Sequence, residues 1–433
     1  MNVKERKYIV NLMVFSFSIF MLYAVIIPFN NAPDEQLRFD IVDFIRKYKE
    51  LPIGGDPRLF YGDFGVTYAF KPYIAYVFSA LLCILAELLK INIEPFMISR
   101  FFSVLCGVGT VYFTYLICKK IFKESKIKYV LPIFFASIPQ FSFLNSYVNQ
   151  DSLMIFLSSI TVFLWIEGIS NNWAWDIVIK ISIVNGIIML TYMNGYSIIL
   201  CTVILVILTY KNKNSEFFKK TMFFTLISLL ISGWFFVRNL IIYNGELFGD
   251  TISLELQEKL AIDSLKPSLR DVPYKHGLNM ITMLIKTDWL KKTFMSFWAM
   301  LGNMDIRLNS VYYYLFMVIS MLTVLVIIAK VKSAIVNRKY NDAFKLRIVF
   351  IFEILIVIIL SIIYSTYNDF QPQGRYIYPA IIPIIIFIGE TFEYIINKFR
   401  LKEWIVYLFI GVIIIFNIAL PILAMIKKYY FVV

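Results

Sequence analysis

Long runs of consecutive apolar residues, separated by short polar segments, extend over most of the chain. A helix needs about 20 mainly apolar residues to cross a bilayer. Runs close to this length predict transmembrane helices at residues 8–29, 96–118, 128–146, 152–168, 177–193, 195–210, 221–242, 311–330, 348–366, 376–395 and 404–425. The pattern therefore predicts an all-α polytopic membrane protein with about 11 transmembrane helices.

One further apolar run, residues 72–89, decides on which side of the membrane every later loop lies. Short cytoplasmic loops are enriched in Lys and Arg. If residues 72–89 do not cross, the N-terminus and four basic loops share the cytoplasmic side and carry half of the 42 Lys and Arg residues. Those loops are residues 119–128, 211–220, 330–347 and 397–403. We therefore expect a cytoplasmic N-terminus and an extracytoplasmic surface helix at residues 72–89.

The composition supports one integral membrane domain over residues 1–433, with extracytoplasmic loops at 30–95 and 243–310. Hydrophobic residues make up 60% of the chain and the mean hydropathy is +0.73. The net charge of +13 is explained by basic cytoplasmic loops that face anionic lipid, so we expect no nucleic-acid partner. The four cysteines lie in or beside apolar runs and lack the spacing of disulfide frameworks or zinc sites.

Charged residues avoid the centres of the predicted helices. Ionisable groups deep in a bilayer usually mark ion or proton pathways, and coupled transporters commonly use paired broken helices. Neither feature is evident in the sequence, which argues against a coupled transporter. The polar chemistry is instead concentrated in segments predicted to be extracytoplasmic.

Several separate segments are expected to bring reactive side chains to that extracytoplasmic face. Each residue also has an ordinary alternative role: loop solvation for the acidic pair, membrane anchoring for the arginines, helix capping for Asp151, and contact with lipid headgroups for Lys71. The candidate residues are Asp34, Glu35, Asp63, Lys71, Asp151, Arg238, Arg375 and Tyr376.

This mixture of carboxylates and cations suits the transfer of a sugar from a lipid phosphate to a hydroxyl group. Such a reaction needs a general base for the hydroxyl and positive charge for the departing phosphate. The only histidine, His276, has no sequence signature of a nucleophile partner, which argues against a catalytic triad and a histidine-rich metal site.

The sequence resembles the GT-C membrane glycosyltransferases. Its motif order is similar to that of the protein O-mannosyltransferases and the lipid A aminoarabinose transferase, and most closely to a bacterial branch with "PDE", "SFW…G" and "GRY" signatures. The stretches that carry the resemblance are "APDEQLRF", "FKPYIAYVFSALL", "RFFSVLCGVGTVYFTYLICKKIF", "WFFVRN" and "QGRYIYP".

The resemblance implies a polyprenyl-phosphate-linked sugar as donor and an acceptor outside the cytoplasmic membrane. Asp34 matches the acidic residue that these families use as a base or near a metal, and Lys71 matches a lysine that precedes a proline. Where related motifs often have a histidine, this chain has Arg38, which puts metal coordination by a histidine there in doubt.

We therefore expect a glycosyltransferase of the cell envelope, with membrane lipids and a glycan, lipid or protein acceptor as its other partners. Asp34 is the expected general base, and Glu35 orients the acceptor. A divalent cation, if one is needed, would bind Asp34 or Glu35. Arg375, Arg238 and Lys71 are the expected phosphate ligands, in that order.

The remaining three candidates, Asp63, Asp151 and Tyr376, are assigned supporting roles. Two other functions stay open at this point: a flippase or transporter of lipid-linked sugars, and a noncatalytic subunit of an envelope assembly.

Overall fold

The computed structural model describes residues 2–211 and 214–431, and within these ranges the chain forms seventeen α-helices. The helices are α1 Val3–Ile26, α2 Glu35–Tyr48, α3 Ile74–Leu88, α4 Pro95–Ile121, α5 Ile127–Ser137, α6 Pro139–Leu144, α7 Asp151–Ser170, α8 Trp175–Met189, α9 Tyr196–Thr209, α10 Ser215–Ile242, α11 Asp250–Leu260, α12 Met280–Lys286, α13 Trp289–Ala299, α14 Ser310–Val336, α15 Asp342–Tyr367, α16 Ile381–Phe399 and α17 Glu403–Tyr430.

Short elements connect these helices. The 3₁₀-helices are Tyr68–Phe70, Met193–Gly195, Asp263–Leu265, Pro273–His276 and Gly374–Ala380. Two antiparallel strands of two residues each, β1 Met300–Leu301 and β2 Ile306–Arg307, form a hairpin after α13. The prediction of an all-α polytopic membrane protein is confirmed.

Eight helical segments in the described ranges are long and apolar enough to span a membrane, whereas the sequence predicted about 11. They are α1, α4, α7, α10, α14, α15, the segment Gly374–Phe399 and α17. The predicted span 128–146 is divided into α5 and α6, because Pro139 cannot donate the hydrogen bond that would continue α5. The predicted spans 177–193 and 195–210 form α8 and α9, which have only 15 and 14 residues.

Helices α1 and α4 run antiparallel. At one end of this pair, Glu5 accepts hydrogen bonds from Tyr115 (3.0 Å) and Lys119. At the other end, Arg100 donates to the carbonyl oxygens of Ala24 (2.7 Å) and Ile27 (2.6 Å). The chain between them, including α3, therefore leaves and re-enters the helix bundle at the same end, in agreement with a surface position for α3. We call this the site end.

Glycine allows close packing of α4 against the segment that leads into α7 and against α7 itself. A Cβ atom on Gly107 would lie 2.6 Å from the side chain of Asn145, and one on Gly109 would lie 2.5 Å from the ring of Phe156. Both distances are shorter than a normal contact, so larger residues would push the helices apart. Because α4 and α7 run in the same direction, this packing brings the first residue of α7 to the site end.

Candidate functional site at the end of the first helix

Asp34 lies directly before α2 in a left-handed backbone conformation with φ of 58°. Its side chain makes no capping bond to the helix and is about 30% exposed. Instead, its Oδ2 atom accepts hydrogen bonds from Tyr68 Oη (3.1 Å), Arg375 Nη2 (3.2 Å) and Arg38 Nη2 (3.4 Å). Left-handed geometry is unfavourable for a residue with a side chain, and these three contacts help to hold Asp34 in it.

Two almost fully buried arginines flank this carboxylate. The exposed fraction is 2% for Arg38 and 6% for Arg375. Within the described part of the chain, each has a buried Nε and a buried Nη1 atom with no hydrogen-bond partner. Buried donors nearly always have partners, and guanidinium groups suit the planar, bidentate binding of phosphate. The arrangement is therefore suited to bind an anion beside Asp34.

Asp34, Arg38 and Arg375 form a group that we call the Asp34 cluster. Asp151, the first residue of α7, brings a second carboxylate to it. Its Oδ2 atom is 3.7 Å from Arg38 Nη1, and the side chain is 3% exposed. Gln150 precedes the helix in the N-cap position, without a side-chain capping bond. Asp151 therefore contributes charge to the cluster. The structure does not support the alternative that Asp151 caps the helix.

Aromatic side chains form much of the cluster's wall. The Arg38 guanidinium lies 5.2 Å from the ring centre of Tyr68 and 5.9 Å from that of Tyr147, and the Arg375 guanidinium lies 5.4 Å from that of Tyr376. Contacts of this kind stabilise a buried cation. Of the eight predicted site residues, the structure brings together Asp34, Asp151, Arg375 and Tyr376.

Sequence reasoning treated Arg38 as a departure from a motif and missed its central position. The available signal was its spacing from Asp34, because residues four apart meet on one face of a helix. Arg38 contacts both carboxylates, Asp34 and Asp151.

The charge state of Asp34 follows from its neighbours. Burial acts to raise the pKa of this carboxyl group, but the positive charges of Arg375 and Arg38 outweigh it, so the pKa is lowered from its ordinary value. Asp34 is therefore ionised at neutral pH and can accept a proton.

Glu35 is adjacent to Asp34 in the sequence, but its side chain lies outside the Asp34 cluster. It is fully buried and forms a bidentate pair with Arg100, from Nε to Oε1 and from Nη2 to Oε2, both at 2.7 Å. Its oxygens also accept the backbone N–H groups of Asn30 (2.9 Å) and Val148 (3.1 Å). With both oxygens engaged, Glu35 does not fit the expected role of orienting an acceptor or holding a cation.

Arg238 and Lys71 also lie apart from the Asp34 cluster. Arg238 donates to the hydroxyl of Tyr73 (3.0 Å) and to the carbonyl oxygens of Leu51 (3.2 Å) and Pro52 (2.9 Å), so it anchors the first loop to α10. Lys71 forms an exposed ion pair with Asp250 at 2.9 Å. Neither contacts Asp34, Arg38 or Arg375, so neither fits the expected phosphate-binding role.

Asp63 is exposed, and its backbone oxygen accepts the N–H of Ile262 (3.0 Å). This bond joins the first extended loop to the segment that follows α11. Asp63 therefore connects the two loops and does not contact the cluster.

A narrow pocket beside Arg375 joins three of the sequence signatures. Its lining includes Pro33 of "PDE", Ser296 of "SFW" and Gly374 of "GRY". The Gly374 N–H donates to Ser296 Oγ at 2.7 Å, and a Cβ atom on Gly374 would lie 2.2 Å from the backbone nitrogen of Phe297. The close approach requires glycine and fixes Arg375, the next residue, against α13.

Asp34 and Glu35, the expected ligands of a divalent cation, are instead engaged by arginines. Within the described ranges there is no group of three or more His, Cys, Asp or Glu side chains that could hold a metal ion. Asp34 is shared by two guanidinium groups, and both oxygens of Glu35 are occupied. The cluster's positive charge comes from Arg38 and Arg375.

Comparisons with known proteins agree with this architecture. A family model described as "Predicted membrane protein (DUF2142)" matches residues 60–385. No curated protein matches by sequence.

Two solved structures share the fold. One is ArnT from Cupriavidus metallidurans bound to undecaprenyl phosphate, with a TM-score of 0.51 and 14% identity, over 94% of this chain and 63% of that one. The other is the oligosaccharyltransferase AglB from Archaeoglobus fulgidus in complex with an inhibitory peptide and a dolichol-phosphate, with a TM-score of 0.57 and 10% identity, over 99% of this chain and 56% of that one. This chain thus spans less than two thirds of either structure, and the likeness confirms the predicted GT-C-like fold.

Proposed function

This chain belongs to the DUF2142 family of predicted membrane proteins, and we propose that it transfers a sugar from a polyprenyl-phosphate donor to an acceptor hydroxyl in the cell envelope. The observation that carries the proposal is the pair of buried arginines, Arg38 and Arg375, beside an ionised Asp34. Both arginines have N–H donors without a hydrogen-bond partner among the residues that the structure describes. The GT-C fold, and the lipid phosphates bound by ArnT and AglB, support a lipid-phosphate ligand.

In the proposed reaction, Asp34 removes the proton from the acceptor hydroxyl while the hydroxyl oxygen bonds to the anomeric carbon of the sugar. The bond between that carbon and the phosphate oxygen breaks, and its electron pair leaves with the polyprenyl phosphate. Arg375 and Arg38 stabilise the negative charge on this leaving group. Their engagement with phosphate also weakens their pull on Asp34, which makes the carboxylate a better base.

Asp151 has a supporting role in this proposal. Its Oδ2 atom lies 3.7 Å from Arg38 Nη1, whereas Asp34 contacts Nη2 of the same guanidinium group. A buried arginine between two carboxylates stays charged and oriented, so Asp151 positions Arg38 for the phosphate.

Mass spectrometry of envelope glycans from cells with and without the protein tests the activity. We expect one sugar substituent to be lost without the protein, and Asp34→Asn to cause the same loss at equal expression. With a sugar-labelled polyprenyl phosphate and an envelope extract as acceptor, the purified protein should release polyprenyl phosphate. Unchanged glycans together with transport of intact donor would contradict the proposal and favour a flippase.

We propose that the site end is extracytoplasmic and the N-terminus cytoplasmic, in the cytoplasmic membrane. The opposite end carries the basic segments, including Lys119, Lys120 and Lys126 near the end of α4. Lysine enrichment of this kind is typical of cytoplasmic loops.

Thiol labelling of intact cells tests the orientation. Single cysteines replace Lys123 and Leu269, which are both exposed, in a background without the four buried native cysteines. An impermeant reagent should label position 269 and not position 123. Labelling of position 123 alone would place the site on the cytoplasmic side.

A further inference from the structure

The consecutive helices α14 and α15 pack against α16 more than against each other. The space between them is an apolar groove of about 1080 Å³, including its open side, with Phe387 of α16 in its wall. Its lining includes Val324, Lys332 and Val336 of α14 and Ile354 of α15.

The length of the groove matches one leaflet of a bilayer. On α14 it extends from Val324 to Val336, which corresponds to about 18 Å at 1.5 Å per residue. Half of the hydrocarbon core of a bilayer is about 15 Å thick. The groove lies in the half of α14 that follows its midpoint and is therefore remote from the site end, where α14 begins after the β1–β2 hairpin. An acyl chain of the leaflet on that side has the right length to fill it.

Charge at the groove favours an anionic headgroup. Lys332 is the only charged residue in its lining, is exposed, and has no ion pair in the part of the chain that the structure describes. Two neighbouring cations are already paired, since Lys330 (3.0 Å) and Arg347 (2.8 Å) both contact Glu390. Lys332 therefore remains available to a phosphate at the membrane surface.

We propose that this groove binds one acyl chain of an anionic phospholipid, with the headgroup phosphate at Lys332. The chain fills the gap between α14 and α15 and packs against α16. Because α16 continues directly from the segment Gly374–Ala380, the lipid supports the helix that follows the segment containing Arg375. The proposal does not depend on the transferase reaction.

Native mass spectrometry of the full chain tests the site after incubation in detergent with dioleoyl phosphatidylglycerol or dioleoyl phosphatidylcholine. The parent protein should retain one phosphatidylglycerol in preference to phosphatidylcholine. Lys332→Gln should weaken retention of phosphatidylglycerol about fivefold, as expected for one lysine near a headgroup, and leave phosphatidylcholine unchanged. Ile354→Trp, which fills the groove, should reduce retention of both lipids.

Ile359→Trp is the matched control, because Ile359 lies on α15, is 50% exposed and does not line the groove. It should retain lipid like the parent. Equal retention of the two lipids by the parent, or parental retention by Lys332→Gln, would overturn the proposal. Displacement of phosphatidylglycerol by undecaprenyl phosphate would also overturn it, since the groove would then hold a polyprenyl chain. If Ile354→Trp lowers the melting temperature, lipid retention by the exposed Lys332→Gln variant alone decides whether the proposal holds.

Discussion

Asp34→Asn is expected to lower turnover by about 10²–10⁴-fold, the usual contribution of a general base. The amide keeps the size of the carboxylate and an oxygen that accepts hydrogen bonds from Tyr68 and Arg375, so the loop should hold its conformation. It cannot take the acceptor's proton. Turnover is measured with saturating polyprenyl-phosphate sugar, and donor binding is measured separately.

Asp63→Asn is the control for this substitution. Asp63 is an exposed carboxylate in the same loop with no contact to the cluster, so its replacement should leave turnover at the parental level. Near-parental turnover in Asp34→Asn, at equal expression and melting temperature, would show that Asp34 is not the general base. Asp34 would then be an ordinary loop charge after a helix.

Arg375→Ala provides a contrast with Asp34→Asn, because it should weaken donor binding as well as slow the reaction. Asp34 must be ionised to act, so activity is lost as the pH falls through its pKa. Arg375 helps to lower that pKa, and without it the burial of Asp34 raises the pKa. The acid limb of the remaining activity should therefore move to higher pH. If the acid limb of the pH profile stayed at the parental pH, Asp34 would not be the titrating group.

Arg100→Ala is expected to destabilise the fold by about 3–5 kcal/mol, because it leaves the charge of Glu35 buried without its partner. The pair is almost completely excluded from solvent, at 1% and 0% side-chain exposure. Arg100 also donates to the carbonyl oxygens of Ala24 and Ile27 at the end of α1, which would lose those bonds. A lower melting temperature in detergent is the measurement.

Two further variants show whether the loss of stability in Arg100→Ala comes from the unpaired buried charge. Glu35→Gln should cost less, about 1–3 kcal/mol, since its amide oxygen can still accept a backbone N–H and Arg100 keeps its carbonyl partners. Arg58→Ala removes an exposed arginine from a surface ion-pair group and should leave the melting temperature almost unchanged. If Arg100→Ala melted like the parent, the pair would not hold α2 on the bundle.

The four predicted site residues that the structure brings together share one property: each directly precedes or begins a helical segment at the site end. Asp34 precedes α2, Asp151 begins α7, and Arg375 and Tyr376 begin the segment that continues into α16. Apolar runs reveal helix ends in a sequence, so polar residues next to them can be assigned to a membrane face. Arg238 and Lys71 lie on the same face but do not contact Asp34, because a shared membrane face does not imply contact.

The sequence alone determined that this is a helical membrane protein and that several of its charged residues lie at one end of the helix bundle. The physical reason is that backbone polar groups cannot stay unpaired in hydrocarbon, so long apolar runs must form helices. Only the tertiary structure decided which polar groups meet. Asp34 has a left-handed backbone conformation directly before α2, whereas Glu35 is the first residue of that helix. Their side chains therefore diverge: Glu35 binds Arg100, and Asp34 meets Arg375, 341 residues away in the chain. Contacts over such separations depend on helix packing, which periodicity does not encode.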